Sequence, residues 1–175
     1  IGTVTRLMPS KGNRYLVEAA RSILDRLPQA RITIVGEGEL EAELRAQAQA
    51  LGLGDRLVFA GFKRDVAAVL SALDLVVFPS LWEGTPLTAF EALAMGKPIV
   101  STDADGLQDI LTQGRDAVIV PPEDAAAIAA AVNALANDPA LERGWLTVGA
   151  LDPLNPTQLT AYSQECGSAM NYCLV

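Results

Sequence analysis

Six short, uninterrupted apolar runs alternate along this chain with longer segments of helical period, and that alternation restricts its folding more than any other feature. The runs "IGTVTRL" (1–7), "RITIVG" (31–36), "RLVFAG" (56–61), "LVVFPS" (75–80), "PIVST" (98–102) and "AVIVP" (117–121) have the length and β-branched content of strands. A strand that is apolar at consecutive positions, rather than at every second one, buries both its faces. Such strands belong to parallel sheets covered by helices on each side. Between them, "YLVEAARSILDRL" (15–27) places Leu16, Ala19, Ala20, Ile23, Leu24 and Leu27 on one helical face, and "LEAELRAQAQALGL" (40–53) reads as an exposed helix with a glycine stop. Further helices are predicted near 64–72, 86–95, 106–112 and 124–137. The predicted fold is an α/β domain over 1–143, with a doubly wound, mostly parallel sheet flanked by helices. Residues 144–175 carry two charged side chains, Asp152 and Glu165, and no sustained period, so an irregular or disordered tail without function is expected there.

A hydrophobic fraction of 50% and a charged fraction of 19% over 175 residues suit one domain with a sizeable core. No apolar run reaches the length of a membrane span and no leader opens the chain, which makes a cytoplasmic location the expectation. The net charge of −8 argues against nucleic acid as a partner. Charge is unevenly spread: residues 1–65 hold ten Lys/Arg against eight Asp/Glu, and 66–175 hold three against thirteen. An anion held by side-chain cations would therefore lean on the first third. The absence of histidine excludes Ser-His-Asp and Cys-His chemistry within the chain and argues against zinc. Cys166 and Cys173 read as thiols more readily than as a disulfide.

In open parallel sheets ligands bind outside the carboxyl ends of the strands. The loops there are 8–14, 36–40, 61–65, 79–86 and 102–106. In "EGTPLTAFEA" (83–92) two glutamates stand eight residues apart, with Thr85 placed as an N-cap and Pro86 at the first helical position. Eight helical residues span about 12 Å, too far for the roughly 5 Å of a retaining glycosidase pair. Glu83 and Glu91 are therefore expected to touch different parts of one long ligand, with the helix N-terminus between them as an anion site. The order of hydroxyl-rich group, phosphate and ribose in a nucleotide sugar matches. Glu91, set between Phe90 and Ala92 on an apolar helix, is expected to be partly buried. The plain alternative makes both carboxylates solvated surface groups.

In "RLMPSKGN" Arg6 and Lys11 follow the first strand, where two cations could hold a diphosphate and stabilise it as it leaves, or simply solubilise a loop. Gly12 lets the backbone approach a ligand or turns the chain. Gly36-Glu37-Gly38 fails as a dinucleotide fingerprint because Glu41 occupies the third glycine position and acids at 37, 39 and 41 would repel a pyrophosphate. Gly36 and Gly38 are instead expected to let a base or sugar near the backbone.

Together, "GTVTRLMPSKGNRYLVEAA", "ARITIVGEGEL", "LGLGDRLVFAGF", "ALDLVVFPSLWEGTPLTAFEALAMGKPIVSTDADGLQDIL" and "AVIVPPEDAAAIAAAV" resemble, in unbroken order, the C-terminal donor-binding domain of the group 1 retaining glycosyltransferases of GT-B architecture. The resemblance implies the Rossmann-like half of such an enzyme, transferring a hexosyl group from a nucleotide-diphosphate sugar without a metal or other cofactor. It implies that Arg6 and Lys11 bind the donor diphosphate, Glu83 the sugar hydroxyls and Glu91 the ribose. Gly84, Thr85, Pro86 and Leu87 are implied to present backbone to sugar or phosphate, and Gly36, Gly38 and Phe62 to border the base. An N-terminal domain, absent from this chain, would bind the acceptor, whether glycan, lipid or small molecule. The full-length protein would then be cytoplasmic or peripheral at the inner membrane face, and the isolated domain weak or inactive. The 144–175 tail departs from the family's charged amphipathic closing helix. Two alternatives fit the same fold: a nucleotide-sugar epimerase, against which the lack of histidine weighs, and a non-catalytic nucleotide-binding or interaction domain.

Overall fold

The apolar runs become the strands of one six-stranded parallel sheet: β1 (Gly2–Val4), β2 (Ile32–Val35), β3 (Leu57–Gly61), β4 (Val76–Phe78), β5 (Ile99–Thr102) and β6 (Val118–Val120), in the order β3-β2-β1-β4-β5-β6. The structure, a computed structural model, describes residues 1–138 together with 151–152 and 155–159. Helices α1 (Asn13–Arg26), α2 (Glu41–Ala50), α3 (Val66–Ser71), α4 (Leu87–Ala94) and α5 (Ala125–Ala136) cover the sheet.

Both faces are buried, as consecutive apolar positions require. Val77 and Val100 point into a core shared with Leu16, Ile23, Leu44, Ile128 and Val132 of α1, α2 and α5. Their neighbours Val76, Phe78 and Ile99 point the other way, against Leu70, Ala89, Ala92, Leu107 and Leu111. Fully burying a side chain of this size contributes about 1.5–3 kcal/mol. Asp65 and Asp124 cap α3 and α5 by accepting from the N–H groups of Ala68 and Ala127.

Two local expectations need correction. The helix expected at 106–112 is a series of turns that still buries Leu107 and Leu111. Gly106 takes φ 79° there, a left-handed step incompatible with a helix interior. Helix α4 starts at Leu87 with Pro86 as its cap residue, because ψ at Pro86 is 79°; Thr85 lies outside and makes no side-chain cap. Within the 144–175 segment the described residues are β7 (Leu151–Asp152) and β8 (Asn155–Leu159), which pair antiparallel. Glu165, Cys166 and Cys173, with the expectation of thiols, lie outside the described residues. Among the described residues no helix is long and apolar enough to cross a membrane.

Candidate functional site

The strand order reverses between β1 and β4, so the loops leaving their carboxyl ends diverge and open a crevice. A cavity of about 620 Å³ occupies it, walled by Val4 at the end of β1 with Thr5 and Arg6 beyond it, by Val35 at the end of β2 with Gly36 and Glu37 beyond it, and by Thr85 to Thr88 at the start of α4. Lys11, Glu83, Phe62, Lys63, Val66 and Phe78 complete the wall, so three cations face it against two carboxylates.

The site begins with a turn. Gly12 adopts φ 59° between a short 3-10 turn (Pro9–Lys11) and α1, and its missing Cβ lets the Pro79 carbonyl come close. The Leu81 and Trp82 N–H groups both donate to the Ser10 carbonyl, at 2.8 and 3.2 Å. These contacts join the loop after β1 to the loop after β4. In consequence Lys11 and Glu83, far apart in sequence, form an ion pair with Nζ 2.5 Å from Oε2 and side chains only 14% and 9% exposed.

Glu83 is held from all sides. The buried Ser80 hydroxyl donates to Oε1 at 2.6 Å, and the Thr102 hydroxyl on β5 donates in turn to the Ser80 carbonyl. The Glu83 N–H donates to the Asp105 carbonyl at 3.1 Å. Gly106 packs against the Glu83 and Gly84 carbonyls so closely that a Cβ would lie within 2.7 and 2.4 Å of them. On the opposite wall Asn13, wholly buried at the start of α1, donates from Nδ2 to the Arg6 carbonyl at 3.2 Å. Arg6 itself is exposed, and among the described residues no salt bridge engages it. Its guanidinium and the two remaining N–H bonds of the Lys11 ammonium are available to an anion.

The structure therefore brings Arg6, Lys11, Glu83, Gly36, Phe62, Thr85, Pro86 and Leu87 to one cavity, with Phe62 60% exposed. Gly38, Gly84 and Glu91 are not among its lining residues. Glu91 is exposed rather than partly buried: α4 turns Ala89 and Ala92 to the core, which leaves Phe90 and Glu91 outward. The glycines of "GEG" serve the fold. A Cβ at Gly36 would lie 1.8 Å from the Thr5 carbonyl oxygen, and one at Gly38 2.3 Å from that of Leu7, so both glycines admit the loop after β1, and Gly36 lines the cavity as well. Fewer backbone donors are offered near α4 than its N-terminus suggested, since Pro86 has none and the Leu87 N–H donates to the Thr85 carbonyl.

Sequence reasoning missed the Lys11–Glu83 pair itself, the buttress Ser80, and the lining residues Thr5, Glu37, Lys63 and Thr88. Lys63 and Glu37 stand in loops already marked as strand ends; nothing in residue type distinguished Ser80. Among the described residues no three His, Cys, Asp or Glu side chains gather as a metal site.

Comparison with known proteins gives a consistent family. A profile described as "Glycosyl transferases group 1" matches residues 1–138. The chain is 35% identical over 124 residues to the UDP-Gal:alpha-D-GlcNAc-diphosphoundecaprenol alpha-1,3-galactosyltransferase of Escherichia coli, covering 69% of this chain and 32% of that protein. It is 32% identical over 142 residues to the 2-deoxystreptamine glucosyltransferase of Streptomyces kanamyceticus, covering 80% and 37%. Among solved structures, Anabaena HepE in complex with UDP and glucose superposes with TM-score 0.74 at 29% identity, covering 80% of this chain and 39% of that one. The C-terminal domain of a glycosyl transferase group 1 family protein, LpcC, from Francisella tularensis gives TM-score 0.73 at 28% identity, covering 80% and 76%. The chain spans about a third of the length of the curated relatives it matches.

Proposed function

The chain belongs to the group 1 glycosyl transferases, and from that premise we propose that residues 1–138 form the donor-binding domain of a retaining hexosyltransferase that uses a nucleotide-diphosphate sugar. The observation that carries this reading is the convergence of Arg6, Lys11 and Glu83 with the start of α4 on one cavity at the sheet's switch point. The HepE structure determined with UDP-glucose, at TM-score 0.74 and 30% identity, supports it.

In this reading Arg6 and Lys11 bind the diphosphate, Thr85 to Leu87 border the phosphate and sugar, Glu83 stands at the sugar end, and Phe62 and Gly36 flank the base. As the bond from the sugar's anomeric carbon to the phosphate oxygen breaks, negative charge grows on the diphosphate and the two cations stabilise it. The acceptor oxygen bonds to the same face of that carbon, and its proton passes to the departing phosphate oxygen. No metal takes part. The acceptor, a glycan, lipid or small molecule, docks on a domain that completes the cleft.

Thermal shift and calorimetry with UDP, GDP, ADP and their glucose conjugates test the reading. Stabilisation by one nucleotide, weakened in Arg6→Ala, is the expected result; a folded chain indifferent to all of them at millimolar concentration overturns it. Product NMR on the full-length enzyme tests retention, and an inverted anomer would refute that part.

A further inference from the structure

We propose that Ser80, Glu83 and Lys11 form one buried relay, in which the Glu83 carboxylate serves the donor diphosphate through Lys11 by fixing where its ammonium points. The inference rests on the donor reading above and assigns a positioning role to Ser80 and Glu83.

Both oxygens of Glu83 are engaged, Oε1 by the Ser80 hydroxyl at 2.6 Å and Oε2 by Lys11 Nζ at 2.5 Å, and only 9% of the side chain meets solvent. Each oxygen keeps a second acceptor site toward the cavity, which Glu83 lines, so its hold on Lys11 is a task beside any contact with the sugar. The relay is rooted in the sheet, because Thr102 on β5 donates to the Ser80 carbonyl and Ser80 is 1% exposed. From that root the order runs strand, hydroxyl, carboxylate, ammonium, cavity. A lysine on its flexible four-carbon stem would otherwise sample many rotamers. Held by Glu83, its ammonium keeps two N–H bonds for phosphate oxygens in a fixed direction.

The geometry separates this role from a direct sugar contact by sign. A bare carboxylate beside a diphosphate repels it, so if Glu83 only touched the sugar, Glu83→Gln would leave nucleoside diphosphate binding unchanged or tighter. If Glu83 positions Lys11, the same change weakens it.

The test titrates the chain with UDP, GDP and ADP, each with and without its glucose. Glu83→Gln and Ser80→Ala are expected to weaken the sugar-free diphosphate about tenfold, as for loss of a charge-assisted hydrogen bond, and to weaken the glucose conjugate by the same factor. Ser80→Thr, which keeps the hydroxyl, restores binding, and in a Lys11→Met background Glu83→Gln causes no further loss. Weakening confined to the glucose conjugates overturns the relay. A ligand-free arm follows the Lys11 ammonium by ¹⁵N NMR: its signal is resolved in the parent and lost in both Glu83→Gln and Ser80→Ala, and an unchanged signal also overturns the proposal. If the parent chain binds none of the nucleotides, the donor reading falls, while the ammonium signal still decides the relay. Should Glu83→Gln fail to fold, Ser80→Ala, which removes one oxygen, carries both arms.

Discussion

Gly12 and Pro79 approach so closely that a Cβ on Gly12 would lie 1.9 Å from the Pro79 carbonyl oxygen. The turn also needs φ 59°, which disfavours any side chain by about 1–2 kcal/mol before the clash is counted. Gly12→Ala is therefore expected to lower stability by about 2 kcal/mol or more in urea unfolding. Because the displaced loop carries Lys11, nucleotide affinity should fall with it. Parent-like stability would mean that the two loops are not held together at this point.

Lys97, part of the "MGKPIVS" stretch, has a structural task. Its ammonium donates to the carbonyls of Leu73 at 2.7 Å and Ser71 at 3.1 Å, closing the C-terminal end of α3. Lys97→Met removes a charge-assisted contact and should cost roughly 1.5–3 kcal/mol of stability. Nucleotide affinity, measured by calorimetry below the melting range, should not change, since Lys97 is not among the residues lining the cavity. A binding defect without a stability defect would contradict this assignment.

Sheet and helices were legible because their signals are local. The runs at 75–80 and 98–102 told of two-sided burial, and Val76 against Val77, or Ile99 against Val100, divide between the two cores as that requires. The position of Arg6 and Lys11 at a strand's carboxyl end was legible from topology alone. What the sequence hid was pairing at long range. The Lys11–Glu83 contact depends on two loops being drawn together at Gly12 and Ser10, and no periodicity reports that. The burial of Glu91 was misjudged for a related reason. An apolar composition on α4 does not say which face the sheet takes, and Ala89 and Ala92 took it. At 106–112 the helical pattern was present, but Gly106 answers to the carbonyls of Glu83 and Gly84 rather than to its own neighbours.

Asp116 should give the fold an acid-sensitive limb. Burial by itself pushes its carboxyl upward, yet the Arg115 guanidinium at 3.0 Å and the Thr112 N–H at 2.9 Å outweigh burial and hold it below the ordinary carboxylate range. A carboxyl lowered in the folded state adds stability that is complete above its unfolded pKa, about 3.9, and is lost as pH falls through the folded value. Urea unfolding from about pH 5 down to about pH 3 should show the parent losing stability more steeply than Asp116→Asn. At neutral pH the same variant should be about 1–3 kcal/mol less stable, because a buried acceptor is removed from Thr112 and Arg115. Parallel pH profiles would show that the carboxylate carries no such linkage.

Glu91 offers the most selective probe of the donor reading. It is exposed, and it follows Leu87 and Thr88 of the cavity wall by four and three residues, the spacing that puts side chains on one face of α4. Under the donor reading a ribose reaching past Leu87 and Thr88 meets this carboxylate, and its hydroxyls donate to it. Removing an exposed side chain should leave stability within about 0.5 kcal/mol of the parent. Loss of hydrogen bonds to a charged acceptor should weaken a bound ribonucleoside diphosphate about tenfold in Glu91→Ala. The corresponding 2′,3′-dideoxynucleotide, which lacks the donors, should bind parent and variant alike. Equal losses for both nucleotides would place Glu91 against another part of the ligand, and no loss for either would leave it a surface carboxylate beyond the site's edge.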